Sequence, residues 1–464
     1  MTTAKVQIWG MTIGYISWEN KSRTASFEFE KKFLKSGLDI APLSMPINKI
    51  DSSKIYTVES TSEIDYLTYK GLPHILTDSL PDAFGNSIIN AWLATQGRRL
   101  ESFNPVERLC YTGKRGTGAL EYYPAINVVD ETSTLVNIER LVKLSEDILS
   151  KRKGFNVDLS DEAAIKDIIR VGTSAGGARP KAIIAFNEET KEIRSGQVDA
   201  PEGFSHWLLK IDGVRETGLG ETEELGRIEY AYFLMAKDCH IEMSDCRLLE
   251  EGRRAHFMTR RFDRIGNEKL HMQSLNAISG MNFRFLGTYS YEQVFSVLKR
   301  LKLPYRNIDQ LYRRMVFNII SRNCDDHSKN ISFLMDRNGN WSLAPAYDVC
   351  YAYNPTGKFN FQHFLSVNGK YNDIRDNDIL EVGAKEGIKN RKEIIEQVKD
   401  VASRWPEYSK KVGLSMGKVA MMLKNDKKKD STAVVKPSNK LKDATDNVKK
   451  NSRPGQSPGR NMKL

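Results

Sequence analysis

Asn323-Cys324-Asp325-Asp326-His327-Ser328-Lys329-Asn330, followed by Leu343-Ala344-Pro345-Ala346-Tyr347-Asp348, is the stretch on which the reading of this chain turns. Upstream of it, Ile308, Leu311, Met315, Val316, Ile319 and Ile320 recur at helical spacing, so a helix runs to about Ser321 and delivers a polar loop. Residues 331–334 then read as a short strand, 336–340 carry an Asn-Gly turn signal, and 341–343 read as the returning strand. A hairpin brings its two ends together, so Asn330 before it and Asp348 after it are expected to be neighbours. Two oxygen ligands side by side, completed by phosphate oxygens and water, are a common way to hold magnesium. The alternative is a polar loop in which Asn and Asp serve only as turn and cap formers.

The order of residue types matches one chemistry. Protein kinases place an Asp that accepts the substrate hydroxyl proton, an Asn five positions later on magnesium, and a later Asp on magnesium. Asp325, Asn330 and Asp348 follow that order. The spacing matters because phosphoryl transfer depends mainly on positioning and charge neutralisation. His327 either orients the loop by hydrogen bonding or touches phosphate. Lys329 either neutralises the transferring phosphate or solvates the loop.

A nucleotide end lies upstream in the matching order. Val171 to Lys181 forms a small-residue loop, with Gly176, Gly177 and Ala178 allowing backbone N–H groups close to phosphate, and Arg179 and Lys181 adding charge. It is neither a Walker loop nor the dinucleotide fingerprint. It lies between a helical pattern at 161–169 and a strand at 182–186. Residues 205–211 form an apolar strand containing Lys210, and a helical stretch over 222–236 carries Glu229, nineteen positions on. Kinases pair a strand lysine with a helix glutamate in this way, although Glu223 and Glu224 lie on the same helix and could substitute. Residues 256–264, which include Arg261 and Phe262, read as a strand entering a turn, where a kinase hinge would meet adenine.

With these motifs in place the chain resembles the HipA family of bacterial toxin kinases. The resemblance rests on S-A-G-G-A-R-P-K (174–181), N-C-D-D-H-S-K-N (323–330), L-A-P-A-Y-D (343–348), R-F-D-R (261–264) and L-P-D-A-F-G-N (80–86), together with the strand opening at 6–18. It covers roughly residues 4–420. It implies an α+β, two-lobed protein-kinase-like fold with an added small N-terminal α/β domain. It also implies an ATP- and Mg2+-dependent serine/threonine kinase that is the toxin of a toxin–antitoxin pair. Asp325 would be the catalytic base, assisted by Lys329, while Asn330 and Asp348 would bind metal. ATP would meet Gly176, Gly177, Ala178, Arg179, Lys181, Lys210, Arg261, Phe262, His327, Asn330 and Asp348, with Glu229 as the supporting ion pair. Ser174 matches the family's autophosphorylated serine, whose modification ejects the loop and switches the kinase off. The implied partners are a helix-turn-helix antitoxin of the HipB type, operator DNA through that antitoxin, and an aminoacyl-tRNA synthetase as substrate. One departure is Arg260, which stands where some members carry a hinge Glu. The competing reading is a catalytically weak kinase-fold co-repressor, against which all of Lys210, Asp325, Asn330 and Asp348 are intact.

Length and charge complete the picture. The 464 residues can support two or three domains, expected as 1–110 (N-terminal), 111–255 (connector and small lobe), 256–423 (large lobe) and 424–464 (tail). The tail holds twelve Lys or Arg against four Asp, so it carries +8 of the net +11 and leaves only +3 on the rest. Its scarcity of apolar residues predicts a disordered basic tail, solubilising or weakly attractive to nucleic acid. No stretch approaches the ~18 apolar residues of a membrane span, so no membrane partner is expected. Cys110, Cys239, Cys246, Cys324 and Cys350 are sparse and odd in number, which suits a reducing cytoplasm. Asp82 to Thr95 reads as a helix with Pro81 at its start.

Overall fold

The computed structural model describes residues 2–49, 55–57, 62–126, 128–129, 132–151, 162–172, 179–214, 223–357, 359–420 and 422. Ser174, Gly176, Gly177, Ala178 and the 424–464 tail lie outside the described residues. The unit spanning Met1–Met416 is built around two antiparallel sheets and a helical region.

The first sheet comprises β1 (Thr2–Ile8), β2 (Met11–Glu19), β3 (Thr24–Phe29), β4 (Ile55–Thr57) and β5 (Leu120–Tyr123), in the order β4-β3-β2-β1-β5. Ala4, Val6 and Ile8 alternate into the core while their neighbours face outward, the period of a half-buried strand. β5 pairs with β1, Tyr122 opposite Val6, so this sheet runs on to residue 123. A boundary at residue 110 therefore does not follow the sheet: the expected connector closes it. Helix α1 (Ala83–Thr95) starts at Asp82, whose side chain accepts from the Gly85 N–H. Pro81 thus precedes the cap and is not in the first turn, because Asp82 takes the capping role. Helix α2 (Pro105–Thr112) is opened by an Asn104–Glu107 capping box.

The second sheet comprises β6 (Lys181–Asn187), β7 (Ile193–Ser195), β8 (Phe204–Lys210), β9 (Cys246–Glu251) and β10 (Arg254–Arg260), in the order β7-β6-β8-β10-β9. Ala182, Ile184, Phe186, Trp207, Leu209 and Met258 turn one face into a core shared with α1, α3 (Ile138–Lys151) and α4 (Glu162–Val171). Period-two alternation then sends Lys181 and Lys210, paired directly across β6 and β8, to the other face, beside Phe257 of β10. That face is covered by α5 (Leu225–Asp238).

Beyond the sheet lie β11 (His271–Ser274), α6 (Tyr291–Arg300), α7 (Tyr305–Ile320), the hairpin β12 (Ser332–Met335)–β13 (Trp341–Leu343), and α8 (Asp376–Lys385), α9 (Arg391–Ser403) and α10 (Trp405–Lys411). Ile308, Leu311, Tyr312, Met315, Val316 and Ile319 form the buried stripe of α7. The fold class is α+β and kinase-like: a five-stranded sheet with α5 on one face and α1, α3 and α4 on the other, then a mostly helical region that carries the polar loop 323–330 after α7. Among the described residues no helix is long and apolar enough to cross a membrane, and all five cysteines are free and buried.

Candidate active site

Lys210 sits at the end of the central strand of its sheet, buried and not at an edge. A buried ammonium needs partners, and among the described residues two carboxylates meet it: Glu229 on α5, and Asp348. Arg179 adds a longer contact, 3.7 Å from the second Glu229 oxygen. Glu229 is therefore the helix acid that meets the lysine. Glu224 instead starts α5 and binds Ser415 through its carboxylate. Gly226 permits this placement, since a Cβ there would lie 1.9 Å from the Ala255 carbonyl oxygen of β10. The close approach of α5 to the sheet brings Glu229, one turn later, over Lys210.

Asp348 is 28% exposed and has φ +53°, a left-handed backbone that Asp tolerates better than most residues. Burial pushes its carboxyl up, but Lys210, Lys181 and Arg179 outweigh that and hold it well below the usual carboxylate range. Burial likewise pushes Lys210 down, and Asp348 and Glu229 more than reverse it, so this lysine is firmly protonated. Lys181 is shifted downward by burial, with neighbouring Lys210 adding to the effect.

The polar loop 323–330 follows α7. Arg322 (φ +60°) turns the chain, and the Tyr232 hydroxyl of α5 donates to the Ser321 carbonyl at 2.5 Å, tying the Glu229 helix to the start of the loop. Asp325 is 53% exposed, with His327 Nε2 3.6 Å from its carboxylate. His327 is held between the rings of Phe283 and Phe364, at 5.5 and 5.4 Å. The Asn330 side-chain amide donates to the Asp325 carbonyl at 2.8 Å, which leaves its amide oxygen to offer to a cation. The hairpin returns the chain as expected: the Tyr347 hydroxyl lies 2.5 Å from Ser332 Oγ and donates to the Lys329 carbonyl, also at 2.5 Å. Buried Arg314 of α7 fixes the far strand by donating to the Ala344 carbonyl at 2.7 Å.

Asp325, His327, Lys329, Asn330 and Asp348 share one cleft of ≈ 1620 Å3 with Leu208, Thr259, Arg260 and Phe262. Arg261 lines it too, but its guanidinium is committed elsewhere: it meets both Asp263 oxygens, at 2.9 and 2.7 Å, and the Gly116 carbonyl. The Asp263 carboxylate is held well below its usual range by Arg261 and Arg264 despite burial. This R-F-D-R motif is therefore a structural knot beside the cleft. Exposed Arg260 ends β10, its N–H donating to the Asp245 carbonyl.

Two groups of residues escaped sequence reasoning. Behind the loop, Asp326 accepts from the Tyr291 hydroxyl (2.9 Å) and the Phe364 N–H (2.7 Å), and pairs with His363 Nδ1 at 3.1 Å. Burial works against the His363 charge, but Asp326 overcomes it and raises the imidazole to about 10. The signal available was the Asp-Asp doublet. From the N-terminal region, Asp78 and Asp82 also line the cleft; Asp82 lies within the L-P-D-A-F-G-N run, which carried no assigned role.

Residues 173–405 match the sequence profile of the HipA-like C-terminal domain, half of the chain, and residues 4–123 match that of the HipA N-terminal domain. The chain belongs to the HipA family. A chain of the HipA–HipB–operator DNA complex from the toxin–antitoxin system of Shewanella oneidensis MR-1 shares the fold, with a TM-score of 0.62 at 16% identity over 91% of this chain and 94% of that one. A curated Haemophilus influenzae protein, provisionally described as a kinase, is 23% identical over 218 residues, 43% of this chain. The match spans 60% of that relative's length. The HipA N-terminal match ends at the last residue of β5, where the first sheet also ends.

Proposed function

We propose that this HipA-family chain is an ATP- and Mg2+-dependent serine/threonine protein kinase and the toxin of a toxin–antitoxin pair. The observation that carries the reading is the buried Lys210 held between Glu229 and Asp348, the last of which lines the same cleft as the exposed Asp325. A strand lysine, a helix acid and a loop carboxylate meeting at one point are what a nucleotide's phosphates and their counter-ion require.

The donors fit magnesium. Asp348 supplies a carboxylate and Asn330 an amide oxygen, both hard ligands. Among the described residues no group of three or more His, Cys, Asp or Glu could hold an ion alone, so the phosphates of ATP would complete the shell. Magnesium, when bound, would neutralise charge on the transferring phosphoryl group. Lys210 would grip the α- and β-phosphates, Arg179 and Lys181 would add charge along the nucleotide, and Gly176, Gly177 and Ala178 would supply backbone donors. Leu208 and Phe262 would form the apolar wall for adenine. Asp325, exposed and beside His327, would accept the proton of the attacking hydroxyl, with Lys329 near the leaving phosphate oxygens. Ser174 would be the chain's own acceptor, switching it off. By family likeness the partner is a HipB-type antitoxin that brings in operator DNA, and the substrate a translation component such as an aminoacyl-tRNA synthetase. The expected location is the cytoplasm.

Intact-mass spectrometry before and after incubation with ATP and Mg2+, beside Asp325→Ala, tests this. A gain of one phosphoryl group (about 80 Da) in wild type alone, mapped to Ser174, is expected. No gain, no phosphate already present and no ATP binding would replace the kinase by a co-repressor without catalysis.

A further inference from the structure

The core does not build the candidate cleft alone. Residues 80–83, which lead into and start α1, form part of its wall. Asp82 is buried, at 9% exposure. One of its carboxylate oxygens caps α1 by accepting the Gly85 N–H at 2.6 Å. The other, Oδ2, is buried and has no hydrogen-bond partner among the described residues. Capping does not explain that second oxygen, because Asn or Ser caps a helix as well without bringing a charge. A buried, half-satisfied carboxylate is costly and calls for a counter-charge.

Two elements supply counter-charges. Lys181 opens β6, and Lys329 belongs to the catalytic-loop segment; both ammonium groups act on Asp82. Lys329 rests over the Phe283 ring, with Nζ 4.7 Å from its centre. Asp78 acts on Lys329 as well, but its two oxygens are already taken by the N–H and Oγ of Ser274, at 2.6 and 2.8 Å. Arg284 faces Lys329, while Lys210, Asp348 and Glu229 face Lys181. In this cluster Asp82 is the N-terminal acid with an oxygen to spare.

We propose that Asp82 is a positioning residue of the nucleotide cleft, its charged carboxylate aligning the Lys181 and Lys329 ammonium groups toward the transferring phosphates. The N-terminal region would then do for these two lysines what Glu229 on α5 does for Lys210. The proposal rests on the kinase reading above. It also makes the site sensitive to acid. Burial raises the Asp82 carboxyl, with Lys181, Lys329 and the Gly85 and Phe84 N–H groups pulling it back to about 6. Above that pH the acid is charged and holds the lysines; below it the acid is neutral and releases them.

The test uses the full chain and ATP itself. Asp82→Asn keeps the cap and removes the charge, so its melting temperature should match wild type, whereas Asp82→Ala loses the cap as well. In phosphoryl transfer followed with labelled ATP, Asp82→Asn should raise KM for ATP about tenfold, the size of one charge-assisted contact, with kcat changed less. The bend near pH 6 in wild-type kcat/KM should vanish in Asp82→Asn. In Lys329→Met it should move to higher pH, because a carboxyl that loses a neighbouring cation is harder to ionise. A wild type that turns over ATP with no bend near pH 6, or an Asp82→Asn that keeps both wild-type KM and the bend, overturns the proposal and leaves the kinase reading standing. A wild type that neither binds ATP nor transfers phosphate overturns both.

Discussion

Two acid–base knots flank the loop at residues 323–330, and they are built differently. On the cleft side Lys210 meets Glu229 and Asp348, and Asp348 lines an open space. On the far side Asp326 meets His363, Tyr291 and the Phe364 N–H, with only 3% of Asp326 and 5% of His363 exposed. Three donors on two oxygens leave Asp326 little to exchange. Asp348 is paired with Lys210 but keeps a solvent-accessible edge on the cleft, so it can trade partners when a ligand arrives. Neighbouring aspartates, 325 and 326, thus divide the labour, one open to the cleft and one locking the loop that presents it.

The largest expected effect tests the cleft side. Asp325→Ala should lower the rate of phosphoryl transfer by about 10²–10⁴-fold, the usual contribution of a positioned base. Asp348→Ala should lower it at least as much and also weaken Mg2+-dependent ATP binding by titration. Near-normal turnover in either variant would erase the distinction between the two knots.

The far side should respond in stability first. Replacing one member of a buried pair leaves the other charge unmatched, at about 3–5 kcal/mol, so Asp326→Ala should show a large drop in urea midpoint. The pH dependence has a definite sign. The His363 pKa in the folded protein, about 10, lies above its unfolded value of 6.5, so its stabilisation is complete below pH 6.5 and is lost as pH rises through 10. The gap in unfolding free energy between wild type and His363→Gln should therefore narrow from pH 6 to pH 10.5. A gap constant with pH would mean that the ion pair is not what locks the loop.

The smallest effect sharpens the comparison from outside. Deleting residues 424–464 should leave phosphoryl transfer unchanged in the same assay, because every residue assigned to either knot lies between 179 and 364. Lost activity would give the basic tail a part in catalysis.

How much of this was legible in the sequence follows from range. The hairpin after Asn330 was readable, because an Asn-Gly turn between short apolar runs is a local signal. So was the strand around Lys210 and the helix bearing Glu229, each written in its own periodicity. The burial of Lys210 was less so: a lysine in an apolar strand reads equally as an edge residue until the order β7-β6-β8-β10-β9 puts it at the centre. The Asp326–His363 pair spans 37 positions, a hairpin among them, and β5 crosses back to β1 over more than a hundred. Neither leaves a periodic trace. Arg261 looked available to a nucleotide because sequence shows charge and not commitment. Asp263, two residues on, takes its guanidinium with both oxygens.

The walls of the cleft are drawn from Thr2 to Asp348, and the first sheet is stitched to the rest over long separations. The Trp9 indole donates to the Lys269 carbonyl across 260 positions, Gln273 to the Ile40 carbonyl across 233, and Trp341 to the Asp39 carbonyl across 302. Ribosomes add about 5–20 residues per second, so the first strands spend tens of seconds in existence before their partners are made. For that interval the nascent polypeptide has a beginning but no pocket. A cleft walled from both ends of the sequence cannot exist on an unfinished chain, so any binding there waits for the last wall to be made.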